Sequence, residues 1–151
     1  MKIRPYKDSD KEDCLAIFKS DADEFFTKLD GNNYLRWLGR VDMHEQHYYV
    51  IEEAGKVVAC GGFYINFEQK RAVLAWGMVH RAYHKKGYGQ KLLNYRIEKI
   101  RELMPEGKIA IVDSTQKNYR FFEKFGFLVT RKKEGFHGNN LDKYEMELQL
   151  N

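Results

Sequence analysis

Cysteine and proline are scarce in this sequence. Of its 151 residues, two are cysteines and two are prolines. Cys14 and Cys60 are too few for the disulfide framework that holds small secreted domains together. The first residues, Met1–Pro5, lack the apolar core of a secretory signal peptide, and no apolar run approaches the ~20 residues that cross a bilayer. We therefore expect a cytoplasmic protein that has no membrane partner.

A large excess of charge of either sign is also missing. The 26 basic and 22 acidic residues leave a net charge of +4, which suits an anionic ligand but is too small to indicate a nucleic-acid partner. Aromatic residues make up 15% of the chain, which argues for a packed core and against disorder. A chain of this length most simply forms one domain, residues 1–151, and we expect it to be of the mixed α/β class.

The stretch from Val73 to Leu93 organises the rest of the chain. Residues 73–79 are apolar, with β-branched and aromatic side chains, which is typical of a buried strand. From Gly89 onwards, apolar residues recur at helical spacing. Between the strand and the helix lies a basic turn, residues 84–89, that contains two glycines. The first amides of a helix lack internal partners and carry positive potential, so this turn predicts a phosphate or pyrophosphate site.

Two commoner phosphate motifs are absent, and so is a zinc helix. A dinucleotide fingerprint needs a third glycine where this chain has Leu92, and no P-loop run occurs. The glycine turn would equally suit an ordinary helix start in an α/β protein, so the turn alone leaves both interpretations open. The run His44–His47 has only Gln46 between Glu45 and the second histidine, which is too short for the zinc motif. We therefore predict no metal site.

Periodicity and turn residues divide the remaining chain into elements. Strands are predicted over residues 2–5, 48–52, 56–67, 71–79, 108–112, 127–133 and 142–150. Helices are predicted after residues 8–10, from a capping box at residues 20–23, from the glycine turn to Pro105, and over residues 117–125 with Gly126 as the terminating residue. Gly31-Asn32-Asn33 is predicted to break the second helix. This order indicates a mixed sheet with both antiparallel and parallel pairs.

Two runs of the sequence carry longer motifs. Val79–Gly89 reads VHRAYHKKGYG, and Asn118–Phe127 reads NYRFFEKFGF. The first resembles the acetyl-CoA motif V-x-P-x-Y/F-Q/R-x-x-G-x-G/A of the GNAT superfamily of N-acetyltransferases, with His84 in place of Gln or Arg and without the proline. The second is similar to that superfamily's A-x-x-F/L-Y-E-K-x-G-F. The resemblance implies the acyl-CoA N-acyltransferase fold: a central, mostly antiparallel mixed sheet, flanked by helices, with two strands splayed around pantetheine.

The resemblance also implies a site for acetyl-CoA along the strand and the turn. Backbone groups of Gly77, Met78 and Val79 would bind the pantetheine amides and the acetyl carbonyl. Residues 85–90 would wrap the pyrophosphate, and His84 would close the cradle. The cofactor-binding residues so implied are Gly77, Met78, Val79, His84, Lys85, Lys86, Gly87, Tyr88, Gly89, Gln90, Thr115, Gln116 and Phe122. The alternative interpretation of Lys85 and Lys86 is that their charges are simply solvated on an exposed loop.

The second motif departs from the superfamily at a position that often donates a proton. The superfamily's tyrosine, a frequent proton donor to the leaving thiolate, is Phe122 in this chain. Tyr119 lies one helical turn earlier on the same face, which makes it our candidate catalytic acid. Asp113 directly follows the predicted strand 108–112 and is our candidate for the base that takes the amine proton. Their structural alternatives are a helix cap for Asp113 and ring packing for Tyr119.

These roles predict an acyltransferase (EC 2.3.1.-) that moves an acetyl group from acetyl-CoA to a primary amine of a small molecule or peptide, by direct transfer in a ternary complex. A non-catalytic acyl-CoA sensor on the same fold is the alternative, since the usual tyrosine is missing. Cys60 has no histidine or aspartate near it in sequence, so we expect a structural thiol. The aromatic residues fall at core spacing, which disfavours a nucleic-acid partner. The acceptor and the oligomeric state, a homodimer included, stay open.

Overall fold

The computed structural model describes the backbone of residues 1–25, 28–41, 46–136 and 141–151, and the side chains of the same residues except 21–25, 28 and 29. His44 and Glu45, from the rejected zinc pattern, lie outside the described residues. The elements are β1 (Lys2–Pro5), α1 (Lys11–Phe25), α2 (Lys28–Leu38), β2 (Gln46–Glu53), β3 (Lys56–Asn66), β4 (Arg71–Val79), α3 (Tyr88–Leu103), β5 (Ile109–Ser114), α4 (Tyr119–Phe125), β6 (Leu128–Lys133) and β7 (Lys143–Gln149). No described helix has the length and hydropathy to cross a membrane.

The described strands form one mixed, mostly antiparallel sheet in the order β1-β2-β3-β4-β5-β7-β6. β4 and β5 pair in parallel through three residues of each strand, Arg71–Val73 against Ile109–Ile111. β7 pairs antiparallel with both β5 and β6, so the last strand of the chain lies between two earlier ones. The predicted α/β class, a mostly antiparallel mixed sheet flanked by helices, is confirmed, and the splaying of two strands stays a prediction.

The helical region after β1 differs from the sequence-based prediction. α1 continues through residues 20–23 as far as Phe25, so no second helix begins at the predicted capping box. α2 runs through Gly31-Asn32-Asn33, which were predicted to break it. Tyr34 and Leu38, one turn apart on α2, are 0% and 5% exposed. Burying these two large side chains outweighs the roughly 1 kcal/mol by which glycine disfavours a helix.

Contacts divide the chain into two compact units. The first comprises residues 1–64 and 75–99, and the second comprises residues 65–74 and 100–151. The strands β3 and β4 and the helix α3 contribute residues to both units. The single domain over residues 1–151 stays a prediction.

The core of the first unit is an aromatic cluster with hydroxyl groups inside it. The hydroxyls of Tyr34 and Tyr48, both buried, lie 2.9 Å apart. Tyr48 Oη donates a hydrogen bond of 2.8 Å to the carbonyl of Trp76, and the ring of Tyr34 lies 5.0 Å from that of Trp76. Buried polar groups are costly unless they are paired. The network therefore fixes the backbone of β4 at Trp76 while satisfying its own hydroxyls.

Replacing Tyr48 with phenylalanine tests this network. The ring stays, but the carbonyl of Trp76 and the hydroxyl of Tyr34 each lose a partner. We expect the free energy of unfolding to fall by about 1–3 kcal/mol, measured by urea denaturation. Tyr6→Phe is the matched control, because the ring of Tyr6 is buried against that of Tyr48 while its hydroxyl makes no hydrogen bond within the described residues. Equal losses in the two variants would contradict the assignment.

The second unit contains the end of α4 that the sequence predicts. Gly126 follows the last helical residue with a φ of 111°, in the left-handed region. Its amide and that of Phe127 bond to carbonyls of the last helical turn, those of Glu123 and Phe122. Glycine adopts this conformation without the strain that a Cβ would introduce. The predicted termination of α4 at Gly126 is confirmed.

Candidate active site

The turn between β4 and α3 has the backbone geometry of an anion cradle. Lys85 and Gly87 have φ values of 63° and 85°, and α3 begins at Tyr88. The carbonyl of Gly87 accepts the first helical bond, from the amide of Lys91 at 3.1 Å. Within the described part of the chain, the amides of residues 85–90 make no hydrogen bond to the protein. A row of donors is thus available to a ligand at the positive end of a helix.

Gly87 leaves this row of amides uncovered. A Cβ built at Gly87 would meet no atom within 4 Å, so the space beside the turn is open. Its positive φ is one that glycine adopts without strain. An anion can therefore approach the backbone here more closely than it could approach a residue with a side chain.

Charges around the turn favour an anion. α3 has no acidic residue in its first turn, and the side chains of Lys85, Lys86 and Lys91 are exposed. The ammonium of Lys86 lies 5.4 Å from the ring centroid of Tyr83, a cation–π distance. No such contact involves Lys85 among the described residues. The ammonium of Lys86 is therefore already engaged by an aromatic ring, whereas no described ring engages that of Lys85.

The side chains of His84 and Tyr88 tie the turn to neighbouring strands. His84 Nε2 lies 2.7 Å from the carbonyl oxygen of Val79. Because a carbonyl only accepts, Nε2 is the protonated ring nitrogen in this contact. Tyr88 Oη donates to Glu53 Oε2 at 3.1 Å. The ring of His84 is thus engaged with the end of β4, and its contribution to a ligand site is to hold the turn in shape.

Strained backbone lies in β4 directly before the residues implied in acetyl binding. Trp76 has a φ of 51°, which is rare for a bulky side chain. Its carbonyl is held by the hydroxyl of Tyr48. Gly77, the next residue, is exposed, whereas the side chain of Met78 is buried in the aromatic core. Strain of this kind persists only where the surroundings enforce it, and it is concentrated at ligand sites.

Asp113 lies inside β5, one residue before its end, and not after the strand as predicted. Its side chain is 48% exposed, and Oδ2 lies 3.5 Å from Lys143 Nζ. The same ammonium lies 3.4 Å from Glu145 Oε1, and the strand register places Asp113 opposite Glu145. The two carboxylates therefore share one cation. The strand extends through Asp113 because β7 supplies backbone partners as far as Ser114.

Tyr119, the first residue of α4, is stacked on an aromatic residue that sequence reasoning did not single out. The rings of Tyr119 and Tyr144 lie 4.4 Å apart at an angle of 21°. The ammonium of Lys132 lies 5.4 Å from the ring centroid of Tyr144, and its interaction with Tyr144 raises the pKa of the lysine above its ordinary value. Phe122 packs edge-on against Phe127, with centroids 5.5 Å apart. The candidate acid Tyr119 thus has a second tyrosine, Tyr144, stacked on its ring.

The two polar residues before α4 hydrogen-bond within their own unit. Thr115 Oγ1 accepts from the amide of Lys117 at 3.2 Å, and Gln116 Oε1 accepts from the amide of Asp142 at 2.7 Å. Their side chains thus shape the segment that leads into α4. The structure places Asp113, Thr115, Gln116, Tyr119 and Phe122 in the second unit, and Gly77–Val79 and the cradle residues in the first.

Comparison with known families decides the family of this chain. The model of the acetyltransferase (GNAT) family matches residues 11–127. The chain belongs to the GNAT family. That match includes β4, the cradle, α3 and all of α4. No curated protein matches the sequence significantly.

Solved acetyltransferase structures share the fold of this GNAT protein. The ribosomal-protein-S18-alanine N-acetyltransferase of Escherichia coli matches with a TM-score of 0.81 and 15% identity, over 99% of this chain and 93% of that one. The ribosomal-protein-alanine N-acetyltransferase of Brucella melitensis matches with a TM-score of 0.80 and 24% identity, over 99% of each chain. An aminoglycoside 6'-N-acetyltransferase complexed with coenzyme A gives 0.80 and 12% identity, over 100% and 98%. These likenesses confirm the predicted fold.

Proposed function

We propose that this GNAT protein is an N-acetyltransferase that moves the acetyl group of acetyl-CoA to a primary amine, by direct transfer in a ternary complex. The observation that carries the proposal is the row of uncommitted amides at residues 85–90, at the N-terminus of α3 in a chain of this family. A solved neighbour is described as complexed with coenzyme A, which supports the same ligand for this chain.

The cradle fits the pyrophosphate of coenzyme A in geometry and in charge. The amides of residues 85–90 would donate hydrogen bonds to phosphate oxygens, since no acceptor in the described part of the chain uses them. The exposed ammonium of Lys85 would add attraction, and the open space at Gly87 would admit the ligand. Gly77, Met78 and Val79 would offer backbone groups to the pantetheine arm. When bound, acetyl-CoA supplies a thioester whose carbon–sulfur bond is exchanged for a carbon–nitrogen bond, with the electron pair left on sulfur.

The acceptor we propose is an amine of a small molecule or a peptide. The similar structures include proteins named for acetylating ribosomal-protein alanine and aminoglycosides, which both present amines. An amine with a reference pKa of about 10.4 is mostly protonated at neutral pH and must lose a proton before it attacks. We assign that proton to Asp113 and the proton on the leaving sulfur to Tyr119. We also propose that the protein is cytoplasmic and that it has no nucleic-acid or membrane partner. Whether it forms a homodimer is left open.

A thiol-release assay with a panel of amines tests the function. The panel contains polyamines, aminoglycosides, amino acids, peptides with free N-termini and peptides with lysine side chains. Binding of coenzyme A is measured in parallel by calorimetry. Release of thiol with at least one amine class is the expected result. Binding of acetyl-CoA without turnover on any class would favour the sensor on the same fold, and absence of binding would overturn the proposal.

Neutralising Lys85 should weaken coenzyme A binding more than neutralising Lys86, because the ring of Tyr83 already holds Lys86. We expect Lys85→Met to lower the affinity by about two- to fivefold at low salt, as for an exposed ion pair, and to flatten its dependence on salt. Lys70→Met is the matched control, because Lys70 is also exposed and also has a positive φ, 56° against 63°. A salt titration by calorimetry checks the result, and equal salt slopes for Lys85→Met and the parent would contradict it.

A further inference from the structure

α3 carries a buried arginine that has no carboxylate partner among the described residues. The side chain of Arg96 is 5% exposed, and it forms no salt bridge within the described residues. Nη1 donates to the carbonyl of Gly62 at 3.1 Å, while Nε has no partner. Burial lowers the pKa of the guanidinium to about 10, so the group is still charged at neutral pH. An unpaired buried charge is among the most costly features that a core can hold.

Neither titratable group that faces Arg96 is a carboxylate. The groups that act on it electrostatically are Tyr48 on β2 and Cys60 on β3. Burial raises the pKa of Tyr48 well above its ordinary value, so its hydroxyl is neutral. Burial opposes ionisation of the Cys60 thiol, but its neighbours Cys14, Tyr34 and Tyr48 and the charge of Arg96 together lower its pKa below the ordinary value. The guanidinium of Arg96 thus faces a hydroxyl and a thiol, and its charge is offset less than a carboxylate would offset it.

Two strands leave out side chains to make room for this guanidinium. A Cβ at Gly77 on β4 would lie 2.7 Å from Arg96 Nη2, and a Cβ at Gly61 on β3 would lie 3.2 Å from Cζ. Glycine weakens the interior of a strand. The space that Gly61 and Gly77 leave for the guanidinium, which we call the slot, therefore lowers the stability of the fold in addition to the buried charge. The hydrogen bond to the carbonyl of Gly62 stabilises the fold by less than the buried charge and the two strand glycines destabilise it. An apolar side chain of similar volume would be neutral or stabilising at such a position.

The slot places the cation directly behind a functional segment of β4. Gly77, against which the guanidinium packs, is followed by Met78 and Val79, whose backbone groups we assign to the pantetheine arm and the acetyl carbonyl. Because the guanidinium is removed from water, salt and solvent screen its field little. A fixed charge behind the backbone acts on whatever binds at its other side without touching it.

We propose that Arg96 is a positioning residue for acetyl transfer: its charge raises the electrostatic potential at Gly77–Val79 and stabilises negative charge on the sulfur and carbonyl oxygen bound there. The inference rests on the proposed function, and it adds a residue that none of the motifs contains. It explains why the fold keeps a costly cation and the two glycines that admit it. The transfer leaves an electron pair on sulfur, and the field of Arg96 favours that charged product.

The acidity of the thiol of bound coenzyme A measures this field directly. The thiolate absorbs in the ultraviolet, as do the thiolates of the protein's own Cys14 and Cys60. The difference between pH titrations of the saturated complex and of the free protein therefore gives the pKa of the bound thiol. Arg96→Met should raise the pKa by about one unit or more, a tenfold loss of acidity equivalent to about 1.4 kcal/mol. We expect kcat to fall by about tenfold as well, with the dissociation constant of coenzyme A changed by less than about threefold and an unchanged or higher thermal midpoint.

Two further variants separate charge from structure. Arg96→Gln removes the charge but can still donate to the carbonyl of Gly62, so it should shift the thiol pKa as Arg96→Met does. Arg96→Lys keeps the charge and should leave the thiol pKa near that of the parent. Lys99→Met is the matched control, since it removes a cation of the same helix that lies at the surface over the ring of Tyr95. We expect Lys99→Met to leave both the thiol pKa and kcat unchanged.

The outcomes distinguish this inference from the function on which it rests. If the parent protein binds no coenzyme A, the proposed function and the role of Arg96 are both overturned. If the parent binds coenzyme A and acetylates an amine, but Arg96→Gln leaves the thiol pKa and kcat unchanged, only the role of Arg96 is overturned. Arg96→Gln carries this decision even where Arg96→Met does not fold, because it retains the hydrogen bond.

Discussion

Replacing Gly87 with valine is expected to weaken the binding of coenzyme A by more than about tenfold, or about 1.4 kcal/mol. The Cβ of the new residue would meet no protein atom within 4 Å, so its branches extend into the open space beside the amides of residues 85–90. A ligand that uses those amides has to occupy the same space. Calorimetric titration with coenzyme A measures the loss.

Gly55→Val is the matched control for this prediction. Gly55 lies in the turn between β2 and β3 with a φ of 80°, close to the 85° of Gly87. A Cβ there also meets nothing within 4 Å. Valine at either position strains the backbone equally, so we expect similar losses of stability and a loss of affinity only at Gly87. Equal affinities in the two variants would show that the turn before α3 is not the binding site.

Tyr119→Phe and Asp113→Asn are each expected to lower kcat by roughly 10²–10⁴-fold, the usual contribution of a general acid or base. The affinity for coenzyme A should stay nearly intact, because neither residue belongs to the cradle. Phe keeps the ring that stacks on Tyr144, and Asn keeps the size of Asp113. Single-turnover kinetics with a saturating amine acceptor separates the chemical step from binding.

Neighbouring residues supply the controls for the two catalytic assignments. Glu145→Gln removes the other carboxylate that contacts Lys143, so it reproduces the loss of the ion pair without touching the candidate base. Tyr144→Phe removes the hydroxyl of the ring that stacks on Tyr119, and it shows which of the two tyrosines donates the proton. If Tyr119→Phe and Asp113→Asn both stay within about threefold of the parent, the protons leave through water and backbone groups, and positioning carries the rate.

Local signals predicted those elements whose ends are set by the residues at the ends themselves. The bounds of β1 and β4 are as predicted, Lys2–Pro5 and Arg71–Val79. α3 ends at Leu103, before Pro105, because proline lacks the amide that a helix interior needs. The helix predicted after residues 8–10 is present as α1, but the predicted capping box at residues 20–23 and the predicted break at Gly31-Asn32-Asn33 were wrong. Burial of Tyr34 and Leu38 overrides the local breaking signal.

The sequence by itself determined the family and the strand–turn–helix geometry before α3, because both depend on residues that adjoin each other in the chain. A strand, a basic glycine turn and a helix that follow in direct succession put amides 85–90 at a helix N-terminus whatever surrounds them. The exposed lysines of the turn add positive charge to that local geometry, and the open space at Gly87 leaves the amides accessible.

Only the tertiary structure decided which side chains accompany the candidate acid and base. Asp113 and Lys143 meet, and Tyr119 stacks on Tyr144, because β7 inserts between β5 and β6 in one particular register. Arg96 faces both Gly77 and Gly61 because α3 packs its buried side against two strands, of which β3 is distant in sequence. Such contacts follow from strand order and from a shared core, and periodicity along the chain carries information about neither.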